Sequence, residues 1–313
     1  MFALTRPRLL VVFVVALAFA ASLALAVFSS TASADHSWNG YHWDRRANPL
    51  ALHVGDNLSG VWVREFSYED PSDNPAYDLA NADYLDTALS DWDQRDTSPA
   101  VRLTEVRRGT GPRRCRPTSG RVEVCNYKYG NTDWVGLTTI WTTSDNHITQ
   151  ATSKLNDTYL NNPRRFPQYS NPVWRLGTLC HELGHTLGLD HQDVGSCMDN
   201  VSNPSSEDMR PNAHDYEQLE TIYGSHIDDA NTSSRVASEM PAALKDIDTT
   251  DLAQRGRKIR KSEREEVYLR DLGGGHKVFT FLHLVKEEDR QQRKQTRQQK
   301  EQTQPQQEQQ QDQ

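Results

Sequence analysis

The run His181-Glu182-Leu183-Gly184-His185-Thr186-Leu187-Gly188-Leu189-Asp190-His191 constrains this chain more than any other stretch. Two imidazoles four residues apart on a helix lie about 40° apart around the axis and one turn apart along it. His181 and His185 therefore share a face and can hold one metal ion. Glu182 is rotated about 100° from His181, near such an ion yet free to act as a base. Gly188 can end the helix in a left-handed conformation that other residues resist. The chain then turns, so that His191 can return as a third ligand. Three neutral imidazoles leave the fourth position of a tetrahedral zinc open, which marks a catalytic site rather than a structural one. A bare pair of histidines around a glutamate recurs by chance. The added glycine and third histidine at fixed offsets make that reading poor.

The flanking sequence supplies the context. From Asn171 and Pro172, apolar residues recur at Val173, Leu176, Leu179, Cys180, Leu183 and Leu187, a helical spacing behind a proline at the start. Downstream lies Ser196-Cys197-Met198-Asp199. The extended histidine motif followed by Met198 resembles the metzincin clan of zinc endopeptidases, and within it the matrixins and related small secreted bacterial peptidases. The segment Asp215–Gly224 is similar to the last helix of a matrixin catalytic domain. It also reads as a helix unaided, with Tyr216, Leu219, Ile222 and Tyr223 on one stripe and Gly224 as a stop.

The resemblance is strongest over 174–224. It implies one catalytic Zn2+ held by His181, His185 and His191, Glu182 as general base, and Met198 as a hydrophobic floor beneath the metal. It implies peptide hydrolysis by a metal-activated water, on a polypeptide lying extended along an edge strand of the sheet. The run Gly136 to Trp141 is the candidate for that edge. Three departures accompany the likeness. No pro-peptide with a cysteine switch is recognisable, the structural-zinc histidines of animal matrixins are not evident, and Asp199 and Asn200 follow Met198 where some metzincins place a tyrosine.

The expected fold is α/β (α+β), a zincin-like domain over 35–224. It comprises a twisted mixed sheet, two packed helices including the zinc helix, and a smaller C-terminal subdomain. Leu50 to Val54, Val101 to Val106, Arg121 to Val124, Gly136 to Trp141 and Ala151 to Leu155 read as strands. Ala80, Tyr84, Leu85, Ala88 and Trp92 mark a helix. Residues 225–262 read as a polar linker. Val267 to Leu272 and Lys277 to Leu282, around three glycines, read as a small β-hairpin over 263–285. An isolated hairpin is marginal in water, so it is expected to dock on the catalytic domain or recruit a partner. The Gln-rich tail, 286–313, is expected to be disordered or loosely helical.

Residues 1–34 read as a signal peptide. Arg6 and Arg8 precede the apolar run from Leu9 to Phe28, and Ala32-Ser33-Ala34 forms a small-residue cleavage site. The same run is long enough to span a bilayer, so an uncleaved anchor is the alternative. The four cysteines suit an exported, oxidising setting. Cys115 and Cys125 flank a turn-like stretch, so a local bridge is plausible. The metzincin resemblance brings Cys180 and Cys197 together near the metal, as a second bridge or as two buried thiols. A role for Cys115 as a zinc-blocking thiolate is the weaker reading. The formal charge of −8 becomes −10 once two leader arginines leave, so nothing draws the chain to nucleic acid or to anionic lipid. His147 reads as a surface or satisfied histidine. Asp190 and Asp193 read as acceptors orienting an imidazole or as exposed loop acids. Calcium has no loop motif to support it. The rival reading is a non-catalytic zinc-containing extracellular or cell-envelope binding protein of the same fold. A metal hydrolase acting on another substrate is the third.

Overall fold

Alternating apolar residues build the sheet that positions the motif. In the computed structural model, the residues described are 36–71, 78–93, 100–107, 113–192, 195–199, 204–224, 227, 247–295 and 298. The expected leader, Asp193, Asn200 and most of the tail lie outside them. The chain from His36 onward forms one compact unit. The strands are β1 (His42–Trp43), β2 (Leu50–Asn57), β3 (Phe66–Tyr68), β4 (Leu79–Ala82), β5 (Val101–Arg107), β6 (Arg121–Tyr127), β7 (Trp134–Thr142), β8 (His147–Asn156), β9 (Arg257–Lys261), β10 (Glu265–Gly273) and β11 (His276–Leu284). The helices are α1 (Tyr84–Asp93), α2 (Asp157–Leu160), α3 (Pro172–Thr186), α4 (Ala213–Tyr223) and α5 (Leu252–Arg255).

The large sheet runs β5-β2-β6-β8-β7-β11-β10-β9, with β1 pairing β8 and β3-β4 forming a small separate sheet. β5, β2, β6 and β8 are mutually parallel, and β7, β11, β10 and β9 continue antiparallel from β8. This is a mixed α/β architecture, as expected at that level. α1 packs on β5 and α3, and α3 crosses β7 and β8. Leu176, Leu179, Leu183 and Val124, Ile140, Ala151 meet in one buried core.

The helix that carries His181 and His185 forms where the spacing places it. Asn171 caps α3 by accepting from the Trp174 amide, and Pro172 sits in its first turn, where its missing N–H costs nothing. Gly188 takes a φ of +89°, and a Cβ there would lie 2.2 Å from the Tyr41 carbonyl oxygen. Two constraints thus select glycine at this turn.

The C-terminal third differs from expectation in part. Part of the segment read as a linker is structured, containing α5 and β9. The expected hairpin does form and dock, and it does so by extending the main sheet, with β11 paired to β7 from Lys277↔Thr142 to Leu284↔Trp134. Residues 287–295, in the segment expected to be disordered or loosely helical, are helical with Arg290 buried. Most consequentially, β7 is not an edge. It lies between β8 and β11, and every residue from Trp134 to Thr142 is buried. An uncharged run of that kind is what a central strand requires.

Candidate metal centre

α3 and the turn after it bring His181, His185 and His191 together. The His181 Nε2 lies 3.1 Å from the Nε2 of both His185 and His191. The other ring nitrogens decide what this means. His181 Nδ1 donates to the Cys197 carbonyl at 2.7 Å, and His185 Nδ1 donates to the Leu189 carbonyl at 3.0 Å. A carbonyl can only accept, so both protons sit on Nδ1 and both Nε2 atoms present lone pairs. Two lone pairs facing each other repel unless a cation lies between them. Ligands at about 2.0–2.1 Å around a tetrahedral zinc stand roughly 3.3 Å apart, close to the spacing here. The donor set thus fits a divalent ion, with the two backbone carbonyls orienting the imidazoles.

Burial supports the neutral, ligating form. Desolvation, then the neighbouring His283, His185 and His191, hold His181 well below the usual imidazole range. Burial, with His191 next to it, draws His185 down to about 4.

Glu182 is fully buried, and its Oε2 accepts from Thr138 Oγ1 at 2.5 Å, while Oε1 has no hydrogen-bond partner among the described residues. Burial raises its carboxyl to about 8, with the Thr138 bond opposing. A divalent cation close by would restore the charged form. Gly136 on β7 makes room for this side chain, since a Cβ there would fall 2.2 Å from Glu182 Oε1.

No family model, curated protein or solved structure matches the chain. The site is therefore read from its own geometry.

Met198 is buried against α3, and a Cβ on Gly184 would lie 2.2 Å from its sulfur. The turn carrying Met198 is tied down twice. The Cys180–Cys197 disulfide joins it to α3, with Cα atoms 5.8 Å apart. Gln192 Nε2 donates to Ser196 Oγ at 2.7 Å and to Asp215 Oδ1 at 2.6 Å, anchoring the loop to the capped start of α4. At the other end of α4, Tyr223 donates to the Leu187 carbonyl at 2.8 Å and so buttresses the helix stop before Gly188. The second disulfide, Cys115–Cys125, leaves no free thiol at either position to block a metal.

Other expected residues play different parts. His147 opens β8 and packs edge-on against His42, apart from the three histidines. Asp190 is half-buried rather than exposed. Its carboxylate accepts from the His191 amide at 2.8 Å and from Arg260 Nη1 at 2.7 Å. Burial would raise its pKa, but the Arg260 guanidinium wins and holds it below the usual range.

Four residues beside the centre escaped the sequence reading: Thr138, Arg260, Glu265 and His283. The His283 ring lies against His181, tilted by 42° with ring centroids 4.5 Å apart, and Glu265 Oε1 lies 3.6 Å from His191 Nε2. Glu265 and His283 belong to the C-terminal hairpin, and Arg260 to the adjoining β9. A lone histidine on an apolar strand, Phe281-Leu282-His283-Leu284, was the available signal.

Proposed function

We propose that the chain is a secreted zinc-dependent endopeptidase of the metzincin kind. The observation that carries this is the pair of lone-pair nitrogens facing each other on α3, beside a buried carboxyl with an unpartnered oxygen. His181, His185 and His191 would hold the ion. When bound, zinc supplies a Lewis acid that polarises a carbonyl and lowers the pKa of water. Glu182 would accept the attacking water's proton on Oε1 and deliver it to the leaving nitrogen, while Thr138 holds Oε2 and leaves Oε1 without a hydrogen-bond partner. Cys197 and Leu189 keep two imidazoles in the ligating tautomer through their carbonyls. The four cysteines paired as disulfides suit the oxidising exterior.

The covered site favours one rival, a closed structural zinc centre with His283 as a fourth ligand in a non-catalytic extracellular protein. Two facts weigh against it. Arg264 Nη2 donates to His283 Nε2 at 3.2 Å, which leaves the proton on Nδ1 and no lone pair for a cation. A purely structural site also has no use for Glu182, whose buried unpaired oxygen is costly.

The test is metal analysis of purified chain, with one zinc expected and its loss in His181→Ala. Hydrolysis of an unfolded protein is then compared with and without chelator, on the parent and on the hairpin variants described next. Chain that takes up no zinc would remove the basis of the proposal.

A further inference from the structure

A polypeptide that is to reach Glu182 must run beside β7, because Gly136 and Thr138 on β7 are the residues against its carboxyl. One polypeptide already does so. β11 pairs antiparallel with β7 over its whole length, with His283 opposite Gly136 and Phe281 opposite Thr138. It then presses side chains onto the ligands. Phe281 stacks flat on His185, with centroids 4.4 Å apart and planes 14° apart, while His283 covers His181. As a result His181, Glu182 and His185 are almost wholly shielded from solvent. A polar latch closes the remaining side. Arg260 on β9 donates Nη1 and Nη2 to Asp190, next to the third histidine, and pairs with Glu265 at 2.7 Å. Arg260 also lies over Trp38, whose ring meets Phe279 and Phe281 edge-on.

We infer that β11 occupies the enzyme's own substrate groove. Resting on the peptidase reading above, this makes the folded chain latent, and its substrate an extended strand that replaces β11 on β7. Backbone pairing to β7 supplies most of the recognition and is indifferent to sequence. The position opposite Thr138, filled by Phe281 on the His185 ring, selects an aromatic or large apolar side chain. The fold contains what the motif alone lacks, a segment that keeps the centre closed.

Two full-chain variants test this. Arg260→Glu sets a negative charge against Asp190 and Glu265, and Thr280→Pro removes a backbone donor from β11, where Thr280 opposes Thr139. Near-UV circular dichroism checks that each is folded, and Arg260→Glu alone suffices if the proline variant is not. Zinc release to a chelator should quicken about tenfold or more in the variants. Cleavage of an unfolded protein should rise by a similar factor. A peptide with the sequence His276–Leu284 should inhibit the opened variants, and a scrambled version should not. Parent and variants that bind zinc, release it at the same rate and cleave equally well would overturn latency and leave the peptidase reading standing. Opened variants that release zinc readily yet cleave nothing would overturn the peptidase reading, and the latency with it.

Discussion

Replacing Gly184 by alanine sets two opposing effects against each other at the centre of α3. Helix propensity alone favours alanine over glycine by about 0.8–1.0 kcal/mol. The packing opposes it. The new Cβ would stand 2.2 Å from Met198 Sδ, 3.1 Å from Met198 Cε and 2.9 Å from Trp92 Cζ2. Ordinary contact needs about 3.5–4.0 Å, so the sulfur must retreat by more than about 1 Å. It has little freedom to do so. Met198 is fully buried, and Trp92 is fixed by its indole N–H donating to the Cys180 carbonyl at 3.1 Å. Overpacking of this kind costs about 1–3 kcal/mol, so a net loss of roughly 1 kcal/mol is expected. In a domain of this size that lowers Tm by about 2–4 °C, measured by calorimetry on metal-free chain. Zinc affinity should fall as well, because a displaced Met198 shifts Cys197, whose carbonyl orients His181. Met198→Ala relieves the clash, so the double variant should be less destabilised than the sum of the two single changes. A Gly184→Ala chain that melts higher than the parent by the propensity increment would refute the placement of Met198 against the helix.

Glu182→Gln should keep zinc and fold in an opened variant, but lower peptide turnover by a factor on the order of 10² or more, as read by metal analysis and a fluorogenic substrate. Loss of zinc with the activity would instead make Glu182 part of the metal's support. Burial depresses Lys154 to about 8 from 10.5, only partly opposed by Asp248, whose Oδ1 is 3.5 Å away. Between those values the unfolded chain binds the extra proton, so this group's contribution to stability rises with pH across that window. Urea unfolding of the parent and Lys154→Met should show the parent gaining on the variant from about pH 8 to 10.5, and a flat difference would contradict the burial. Replacing both Cys180 and Cys197 by serine removes a loop closure over a sequence separation of 17 and should destabilise by about 3 kcal/mol, with weakened zinc retention. Unchanged denaturant midpoint and metal content would show that the bridge does not hold the Met198 turn.

The centre was legible because its geometry is local. An i,i+4 pair on a helix, an Asn-Pro start, a glycine stop and a third histidine three residues later are bound together by covalent distance and helix periodicity. The strands β2, β5, β6, β7 and β8 showed for the same reason, through alternation and β-branched runs. Neighbours in a sheet are another matter. Leu50 to Val54 reads as a strand wherever it pairs, and nothing within β7 says that β11, more than 100 residues later, will lie beside it. Strand pairing is decided by which apolar faces and open edges remain when the whole chain collapses. So Gly136 to Trp141 was the candidate edge until the hairpin closed on it, and nothing near Asp190 in the sequence announced its pairing with Arg260. The three candidate ligands were written in eleven consecutive residues. Whether the site is open or covered depended on contacts between segments far apart in the chain, which only the folded packing brings together.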